Sequence, residues 1–333
     1  MSTRADILIV GQGLAGTLLA WELERAGISF EVIDAGHEHA ASGVAAGIIN
    51  PITGRRLVKS WRVDQWLPTA RIAYREIEQA LGLPLWRDVR VRRFFADDRE
   101  RRVANEKYGR GELAPYVEAA PDETGLWIGG AGQVDVPSLL ARARAHWQMM
   151  GRLREETLGD LADQANAYHL VVDCRGVAGA RGKDFAFVPW EFSKGEIIAV
   201  QVAGLPHDVV LNRGHWALPV TDGSAWVGAT HQPSFENLAP TAAARKELEA
   251  SAAALLSRPF SVTGHFAGVR VNLPDKRPVA GRHPASERLG IMNGLGAKGA
   301  LWAPMLARQW VNHLTKGVPF DPEITGERFW QTG

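Results

Sequence analysis

The apolar positions near the N-terminus follow two different periods in succession. Residues 7–10 (Ile-Leu-Ile-Val) form a continuous apolar run, which is typical of a short strand buried on both faces. From residue 14 to residue 23 leucines recur at helical spacing, and Gly27 then provides a stop signal. A second β-rich run follows at residues 30–33. The pattern predicts a strand–helix–strand unit at the start of the chain.

Three glycines separate the first predicted strand from the helix in the spacing G-x-G-x-x-G. Gly11 permits a tight turn, Gly13 lets a pyrophosphate approach the backbone, and Gly16 lets the helix pack closely against the strand. The N-terminus of the helix offers free N–H groups to the phosphates. Asp34 ends the second strand, where it can accept a hydrogen bond from a ribose hydroxyl and disfavours a 2′-phosphate. Together these positions predict a dinucleotide-binding unit.

The segment "HEHAASGVAAGIINPITGRR" has neither helical nor strand periodicity. Its small residues would let the backbone lie against something flat and extended; they are Ser42, Gly43, Ala45, Ala46 and Gly47. A flexible surface loop is the alternative, but Ile48 and Ile49 follow at once and favour burial. We therefore expect this segment to lie close to a bound cofactor.

The middle of the chain mixes amphipathic helices with alternating strands. A helix with apolar residues at helical spacing is expected to end at Gly82, and another has Pro137 in its first turn and Gly151 at its end. The pair Asp222-Gly223 between β-rich flanks predicts a hairpin, and Thr241 is a plausible N-cap of a helix. Antiparallel strands with helices, inserted into an α/β nucleotide domain, are a consistent architecture.

Composition narrows the class of protein. The chain has 333 residues, of which 46% are hydrophobic and 23% charged, and a length of this order favours two domains. A net charge of +1 gives no electrostatic reason to expect nucleic acid or a membrane as partner. One cysteine, Cys174, excludes an internal disulfide, and no apolar run reaches the length of a membrane span or signal segment. We expect a cytoplasmic protein without a metal site.

One segment, "RDVRVRRFFADDRERR", holds seven arginines against four acids. Its first interpretation is a solvated hairpin followed by the start of a helix. An RNA-facing patch is the alternative, which the interleaved acids disfavour.

Several motifs together resemble one family, the D-amino-acid-oxidase-type flavoproteins, which includes glycine oxidase, sarcosine oxidase and the FAD-dependent domain of a tRNA-modifying enzyme. The resemblance begins with the glycine signature and the "ASGVAAGI" segment. It continues through "AYHLVVDCRGVAG", "AWVGATH", "GVRVNLPDKRPVAG" and "NGLGAKGALWAP", and so covers nearly the whole chain. Two departures are Val271, where the family usually has proline, and Leu295, where glycine-oxidase-like members have histidine. In the last motif Lys298 resembles the basic residue of the tRNA-modifying domain.

The resemblance implies an α/β fold: a Rossmann-like FAD-binding domain with an inserted antiparallel α+β substrate domain. The FAD-binding domain would take residues 1–60, 134–188 and 265–333, and the substrate domain residues 61–133 and 189–264. FAD would be held without a covalent bond, and we do not interpret Cys174 as an attachment site. The cofactor-binding residues implied are Gly11, Gly13, Leu14, Ala15, Gly16, Asp34, Ala35, Ser42, Gly43, Ala46, Gly47, Ile48, Gly176, Gly294, Gly296, Ala297, Lys298 and Gly299.

Three residues are candidates for the chemistry. Arg270 matches the family arginine that holds a substrate carboxylate, since a guanidinium binds a carboxylate in a planar, bidentate way; a salt bridge to Asp275 is its structural alternative. Lys298 could stabilise the anionic reduced flavin, bind a substrate anion or face solvent. His231 could contact substrate or accept a proton, or be a hydrogen-bonded core or rim histidine.

Tryptophans supply weaker candidates for the pocket walls. These are Trp216, Trp226 and Trp302, of which the last is expected to pack the final helix instead.

The function implied is an FAD-dependent oxidoreductase that oxidises the C–N bond of an amino acid or secondary amine. Hydride transfer to flavin N5 would give an imine that hydrolyses, and oxygen or another acceptor would reoxidise the flavin. A tRNA-modifying oxidoreductase acting on a carboxymethylaminomethyl-uridine is one alternative, disfavoured by the near-zero net charge and by a sequence without the methyltransferase half of the fused enzyme. A non-catalytic flavoprotein subunit of a larger dehydrogenase is the other.

Overall fold

The computed structural model describes residues 5–36, 40–221 and 223–330. Within them the chain forms sixteen strands, β1 (Ile7–Val10), β2 (Phe30–Asp34), β3 (Ile48–Ile49), β4 (Ile52–Thr53), β5 (Val58–Lys59), β6 (Trp86–Phe94), β7 (Gly125–Val134), β8 (Leu153–Glu155), β9 (Leu170–Asp173), β10 (Glu191–Gln201), β11 (Val209–Arg213), β12 (His215–Thr221), β13 (Ser224–Gly228), β14 (Ser261–Asn272), β15 (Val279–His283) and β16 (Ser286–Asn293). The same residues form eight α-helices, α1 (Leu14–Arg25), α2 (Val63–Leu81), α3 (Asp98–Gly109), α4 (Val136–Met149), α5 (Ala162–Ala165), α6 (Val177–Ala180), α7 (Ala242–Leu256) and α8 (Gly299–Lys316).

The first sheet is the predicted nucleotide-binding sheet. Its six strands lie in the order β15-β16-β9-β1-β2-β8. β1 pairs in parallel with β2 and β9, β9 pairs in parallel with β16, and only β15 runs antiparallel, at the edge. Because α1 connects β1 to β2, the glycine signature lies at the carboxyl end of the first strand, where ligands bind in open α/β sheets. This confirms the predicted Rossmann-like unit.

The second sheet has eight strands in the order β14-β10-β13-β12-β11-β6-β7-β3. All its neighbouring pairs are antiparallel except β11 with β6. α7 covers one face, where Leu248, Ala252 and Leu255 share an apolar cluster with Ile198 and Val227. The other face of β10 and β14 is turned towards the candidate site.

Strands of the two sheets alternate along the chain, which supports the discontinuous division into two domains that we propose. The proposed last nucleotide-binding segment begins at residue 265, while β14 continues in the second sheet as far as Asn272. The chain therefore changes from one sheet to the other between β14 and β15.

The local signals predict the helix ends well. α2 is followed by Gly82 in the left-handed conformation, and Gly27 and Gly151 also have positive φ after α1 and α4. Pro137 lies in the first turn of α4, and the Thr241 hydroxyl accepts a hydrogen bond from Ala244 N at 3.2 Å. These predictions are confirmed. The hairpin is present as β12 and β13, although Asp222 of its turn lies outside the described residues.

The interpretation of the arginine-rich segment is confirmed only in part, since α3 starts within it at Asp98 but its strand is not a solvated hairpin. β6 lies between β7 and β11, and the residues Arg92 and Arg93 are only 9% and 7% exposed. Arg93 Nε donates to Glu100 Oε1 at 2.9 Å, and Arg92 Nη2 donates to Asp122 Oδ1 at 2.9 Å. The interpretation is wrong for these two arginines because each has an acid close enough to compensate its burial.

Replacing Glu100 with Gln tests this ion pair. The change leaves a buried guanidinium without its anion, so we expect the free energy of unfolding to fall by about 3 kcal/mol. Urea denaturation followed by circular dichroism measures it. Glu106→Gln in the same helix breaks an exposed pair with Arg110 and should have a much smaller effect. Equal losses in the two variants would contradict a stabilising role specific to the buried pair.

Candidate functional site

The glycine-rich turn after β1 is built by close contacts that exclude a side chain. A Cβ added to Gly16 would lie 1.9 Å from the carbonyl oxygen of Gly11, and one added to Gly11 would lie 2.7 Å from Cys174 O. Gly11 also has a φ of +100°. Gly13 differs, because its added Cβ would meet only Ser42 Oγ, at 3.4 Å. Gly11 and Gly16 are thus required by the fold, while the backbone at Gly13 stays open for a ligand.

Asp34 lies where a ribose is expected, but it already has protein partners. It accepts hydrogen bonds from Gln12 N at 2.7 Å, Gly36 N at 2.8 Å and Arg144 Nη1 at 2.9 Å. Arg144 also donates to Glu155. Burial opposes the charge on Arg144, but its hydrogen bonds to Glu155 and Asp34 raise its pKa. Sequence reasoning missed Arg144, since only the packing of α4 against the first sheet brings it to Asp34.

The segment after β2 closes over the turn. Ser42 Oγ accepts a hydrogen bond from Leu14 N at 3.1 Å, which joins the segment to the start of α1. Gly47 has a φ of +68°, and its added Cβ would lie 1.9 Å from Val134 O. Gly47 is therefore required by its approach to β7, whereas Ser42, Ala46 and Ile48 line the neighbouring cavity.

The C-terminal glycine-rich turn docks on the end of β14. Gly296 N donates to Val271 O at 2.9 Å, and a Cβ on Gly296 would lie 2.5 Å from Asn272 Oδ1. Gly294 is similarly confined by Leu273, whose Cδ1 would lie 2.3 Å from an added Cβ. Gly299 begins α8 beside Leu14. A Cβ added to Gly299 would lie 3.2 Å from Leu14 Cδ2. The turn thus meets the N-terminal helix at one place.

One cavity joins these segments to the open face of the second sheet. Its volume is about 910 Å³, its open mouth included. The cofactor-side wall consists of small and aliphatic residues from the three segments; they are Leu14, Ala41, Ser42, Val44, Ala45, Ala46, Gly47, Ile48, Leu295, Gly296, Ala297, Gly299 and Ala300. The facing wall is formed by Val136, Gly195, Ile197, Trp216, Ala229, Gly268 and Arg270.

Other predicted cofactor residues lie outside this cavity. Gly11, Gly16 and Ala15 belong to the turn and to the first turns of α1, and Asp34 with Ala35 follows β2. A Cβ at Gly176 would meet no protein atom within 4 Å, so the backbone there is bare. Open space beside glycine backbones, the N-termini of two helices and an acid at the end of a strand together fit an extended dinucleotide such as FAD.

Arg270 lies partly buried in the cavity wall, without an acidic partner among the described residues. Its Nη1 donates to Thr230 O at 3.2 Å, and its burial lowers its pKa. Asp275, the alternative partner, pairs with Arg328 Nε at 3.0 Å. Since a desolvated cation without a counter-ion is costly, Arg270 is ready to bind an anion that enters the cavity.

Lys298 is the second partly buried cation of the region. Its Nζ lies 3.4 Å from Thr53 Oγ1, and burial lowers its pKa. It forms no ion pair with a described carboxylate, and it caps the start of α8. Its side chain is therefore partly shielded from solvent.

The remaining candidates occupy different environments. His231 is exposed and is not part of the cavity wall, whereas its neighbour Thr230 is buried. Trp216 lines the cavity, and Trp302 packs in the core at 6.1 Å from the Trp61 ring. Cys174 is buried, which raises the pKa of its thiol.

None of the described helices is long and apolar enough to cross a membrane. Among the residues of the described ranges, no group of three or more His, Cys, Asp or Glu side chains could hold a metal ion.

Known proteins resemble the chain over nearly its whole length. A tRNA 5-methylaminomethyl-2-thiouridine biosynthesis bifunctional protein from Maricaulis maris is 33% identical over 94% of this chain and 52% of its own length. Glycine oxidase from Pseudomonas aeruginosa is 25% identical over 91% of this chain and 92% of its own length. The chain spans about half the length of the bifunctional relatives that it matches.

Solved structures share the fold. Iminodiacetate oxidase from Chelativorans sp. BNC1 has a TM-score of 0.77 at 22% identity, with 97% of this chain and 98% of that chain covered. Glycine oxidase from Geobacillus kaustophilus has a TM-score of 0.77 at 21% identity, with 96% and 97% covered.

The family model described as "FAD dependent oxidoreductase" matches residues 6–312. That range includes the glycine signature, the cavity walls and all but the end of α8. This chain therefore belongs to the FAD-dependent oxidoreductase family of the D-amino-acid-oxidase type, and its cofactor is FAD, bound non-covalently.

Proposed function

We propose that this protein oxidises the C–N bond of a carboxylated amine, either an amino acid or a secondary amine. The observation that carries the proposal is the partly buried guanidinium of Arg270 in the wall of the cavity, which pairs with no acid among the described residues. A planar guanidinium matches a carboxylate in shape and charge, and their pairing would compensate the burial of the arginine. The names of the glycine oxidase and iminodiacetate oxidase relatives support the same class of substrate.

Each part of the chain has a role in this proposal. When bound, FAD supplies the acceptor for a hydride from the carbon beside the amine nitrogen. The turn at Gly13 would hold its pyrophosphate and Asp34 its ribose, while Gly47 and Gly296 lie in segments that would flank its ring. Arg270 would bind and orient the substrate carboxylate.

Acid–base groups are scarce in the cavity wall. Arg270 is the one ionisable residue among the described residues that line it. The structure thus supports binding of the amine in its neutral form, whose nitrogen lone pair is free and which needs no general base. The imine product would hydrolyse, and oxygen or another acceptor would take the electrons. As part of the proposal we place the protein in the cytoplasm, which its single, unpaired cysteine supports.

A second candidate function is oxidation of a carboxymethylaminomethyl-uridine in tRNA. It is favoured by the 33% identity to a bifunctional tRNA biosynthesis protein. The carboxymethylaminomethyl group is itself a carboxylated secondary amine, so it would use Arg270 in the same way. Against it, the arginine-rich segment has several of its charges paired within the protein, including Arg92 and Arg93.

A substrate screen tests the proposal. Purified protein with bound flavin is mixed under anaerobic conditions with glycine, sarcosine, iminodiacetate, several D-amino acids, amines without a carboxylate, and tRNA containing carboxymethylaminomethyl-uridine. We expect bleaching of the flavin absorbance with at least one small carboxylated amine and none with the uncarboxylated amines. Bleaching by the tRNA alone would favour the second function, and bleaching only by uncarboxylated amines would overturn both.

Arg270→Ala tests the residue that carries the proposal. Loss of a desolvated charge pair should weaken binding of the carboxylated substrate by about 2 to 5 kcal/mol, seen as a higher KM. Arg270→Lys keeps the charge but loses the planar pair of donors, so it should fall between wild type and alanine. The matched control is an amine of the same skeleton without the carboxylate, whose binding should be unchanged. An unchanged KM for the carboxylated substrate would remove Arg270 from the site.

Lys298→Met tests a second proposed role, electrostatic stabilisation of the reduced flavin. We expect the reduction potential to fall by roughly 30 mV, which is about 1.4 kcal/mol for a two-electron couple. Equilibration with a reference dye measures it, and Lys316→Met at the exposed end of α8 is the control. Because burial lowers the pKa of Lys298, its charge is lost at a lower pH than that of an exposed lysine. The difference between wild type and variant should therefore shrink as pH rises, and a constant or absent difference would contradict the role.

A further inference from the structure

The guanidinium of Arg270 occupies the space where residue 195 would have a side chain. Gly195 lies in the interior of β10, next to β14. A Cβ added to Gly195 would lie 2.3 Å from Nη2, 2.4 Å from Nη1 and 2.5 Å from Cζ of Arg270. All three atoms are closer than real Cβ contacts allow, so the guanidinium rests directly on the backbone of β10.

β10 also fixes the carbonyl that orients this guanidinium. Arg270 Nη1 donates to Thr230 O at 3.2 Å. Thr230 in turn is bonded twice to Glu196, whose N donates to Thr230 Oγ1 at 2.9 Å and whose O accepts from Thr230 N at 3.1 Å. Thr230 is 2% exposed and Glu196 is fully buried. Two consecutive residues of β10 therefore act on the guanidinium. Gly195 leaves the space that the guanidinium occupies, and Glu196 holds Thr230, whose carbonyl is its one hydrogen-bond acceptor among the described residues.

The side chain of Glu196 is itself held by hydrogen bonds on the opposite face of the sheet. Its carboxylate accepts from Thr241 N at 2.8 Å and Thr241 Oγ1 at 3.1 Å, and it pairs with Lys194 Nζ at 3.1 Å. The chain from Thr230 to the start of α7 is therefore tied to β10 at both ends. Movement of the guanidinium is opposed on two sides, by Gly195 and by Thr230.

We propose that Gly195 is a positioning residue that sets the place of the carboxylate-binding guanidinium of Arg270 and so determines specificity for carboxylated substrates. The proposal rests on the proposed function of Arg270. Any side chain at position 195 would displace the guanidinium from β10 towards the cavity, into the space that the substrate carboxylate needs. A lone glycine within a strand pattern is a signal for such a close approach.

Gly264 offers a matched control in the same ladder. It lies in β14 opposite Ala199 of β10, as Gly195 lies opposite Gly268. The atoms nearest to an added Cβ at Gly264 would be the ring of Phe266, at 2.8 Å, and the Cβ of Ala199, at 3.5 Å. Phe266 is 41% exposed, so its ring can move into solvent. Gly264→Ala therefore introduces the same methyl group in the same pair of strands without contact to Arg270.

The test compares two ligands of nearly equal shape in the flavin-loaded protein, benzoate and the uncharged benzamide, by isothermal titration calorimetry. An aromatic probe suits a wall that contains Trp216 and Ile197. We expect wild type and Gly264→Ala to prefer benzoate. Gly195→Ala should bind benzoate about tenfold to 100-fold more weakly while its benzamide affinity stays the same. Substrate turnover should show the same pattern, with the change mainly in KM.

The outcomes separate the two proposals. If wild type does not prefer benzoate, the carboxylate-binding role of Arg270 fails, and the inference about Gly195 fails with it. If wild type prefers benzoate and Gly195→Ala keeps the preference, only the inference about Gly195 is overturned. An equal loss for benzoate and benzamide would also overturn it, because the methyl group would then be acting by filling the cavity.

The double variant Gly195→Ala/Arg270→Ala completes the test. If Gly195 acts through Arg270, adding Gly195→Ala to Arg270→Ala should cause no further change in benzoate binding. If Gly195→Ala alone does not fold, the double variant should recover a wild-type-like melting profile, since removal of the guanidinium frees the space for the methyl group. Failure of both variants to fold would show that the methyl group collides with something else, and this would overturn the proposal.

Discussion

The ladder between β10 and β14 is the interaction on which the candidate site depends. It runs from the pair Glu191–Asn272 to the pair Gln201–Ser261, and it joins the second sheet to three separate parts of the cavity wall. Gly268 of β14 lies against Ala41 and Val44, the segment that closes over the glycine signature. Further along the same strand Arg270 meets Gly195, and Val271 O accepts a hydrogen bond from Gly296 N. One strand thus sets the distances between both glycine-rich segments and the candidate substrate anchor.

The charged residues on the two faces of this ladder have different surroundings. On the face towards α7, the buried Lys194 and Glu196 form an ion pair, and Glu196 receives further hydrogen bonds from Thr241. On the face towards the cavity, Arg270 is partly buried with a single carbonyl as its acceptor among the described residues. Both arrangements require removal of charge from water, but only the first is compensated within the protein. The compensated cluster stabilises the fold, whereas the uncompensated cation is available for a ligand.

The sequence predicts those features that depend on neighbours close in the chain. The strand–helix–strand unit, the cap at Thr241 and the glycine after α2 are each specified within a few residues, and the structure has all three. Arg144 beside Asp34 and Gly195 beneath Arg270 depend on packing between segments more than 70 residues apart. A glycine within a strand pattern indicates a close approach, but the local sequence does not say which residue makes it. The interpretation of the arginine-rich segment is wrong for Arg92 because the acid that compensates it, Asp122, lies outside the segment.

The two candidate functions require the site to recognise the same chemical unit. An amino acid and a carboxymethylaminomethyl group both present a methylene or methine carbon between an amine nitrogen and a carboxylate. An arginine fixed by Gly195 and Thr230 would recognise that shared unit at its carboxylate end. Discrimination between the substrates then depends on the groups that meet the other substituent of the nitrogen. Under the proposed function the apolar wall of Ile48, Ile197 and Trp216 would provide those contacts, and the choice of substrate would then depend on shape and burial more than on charge.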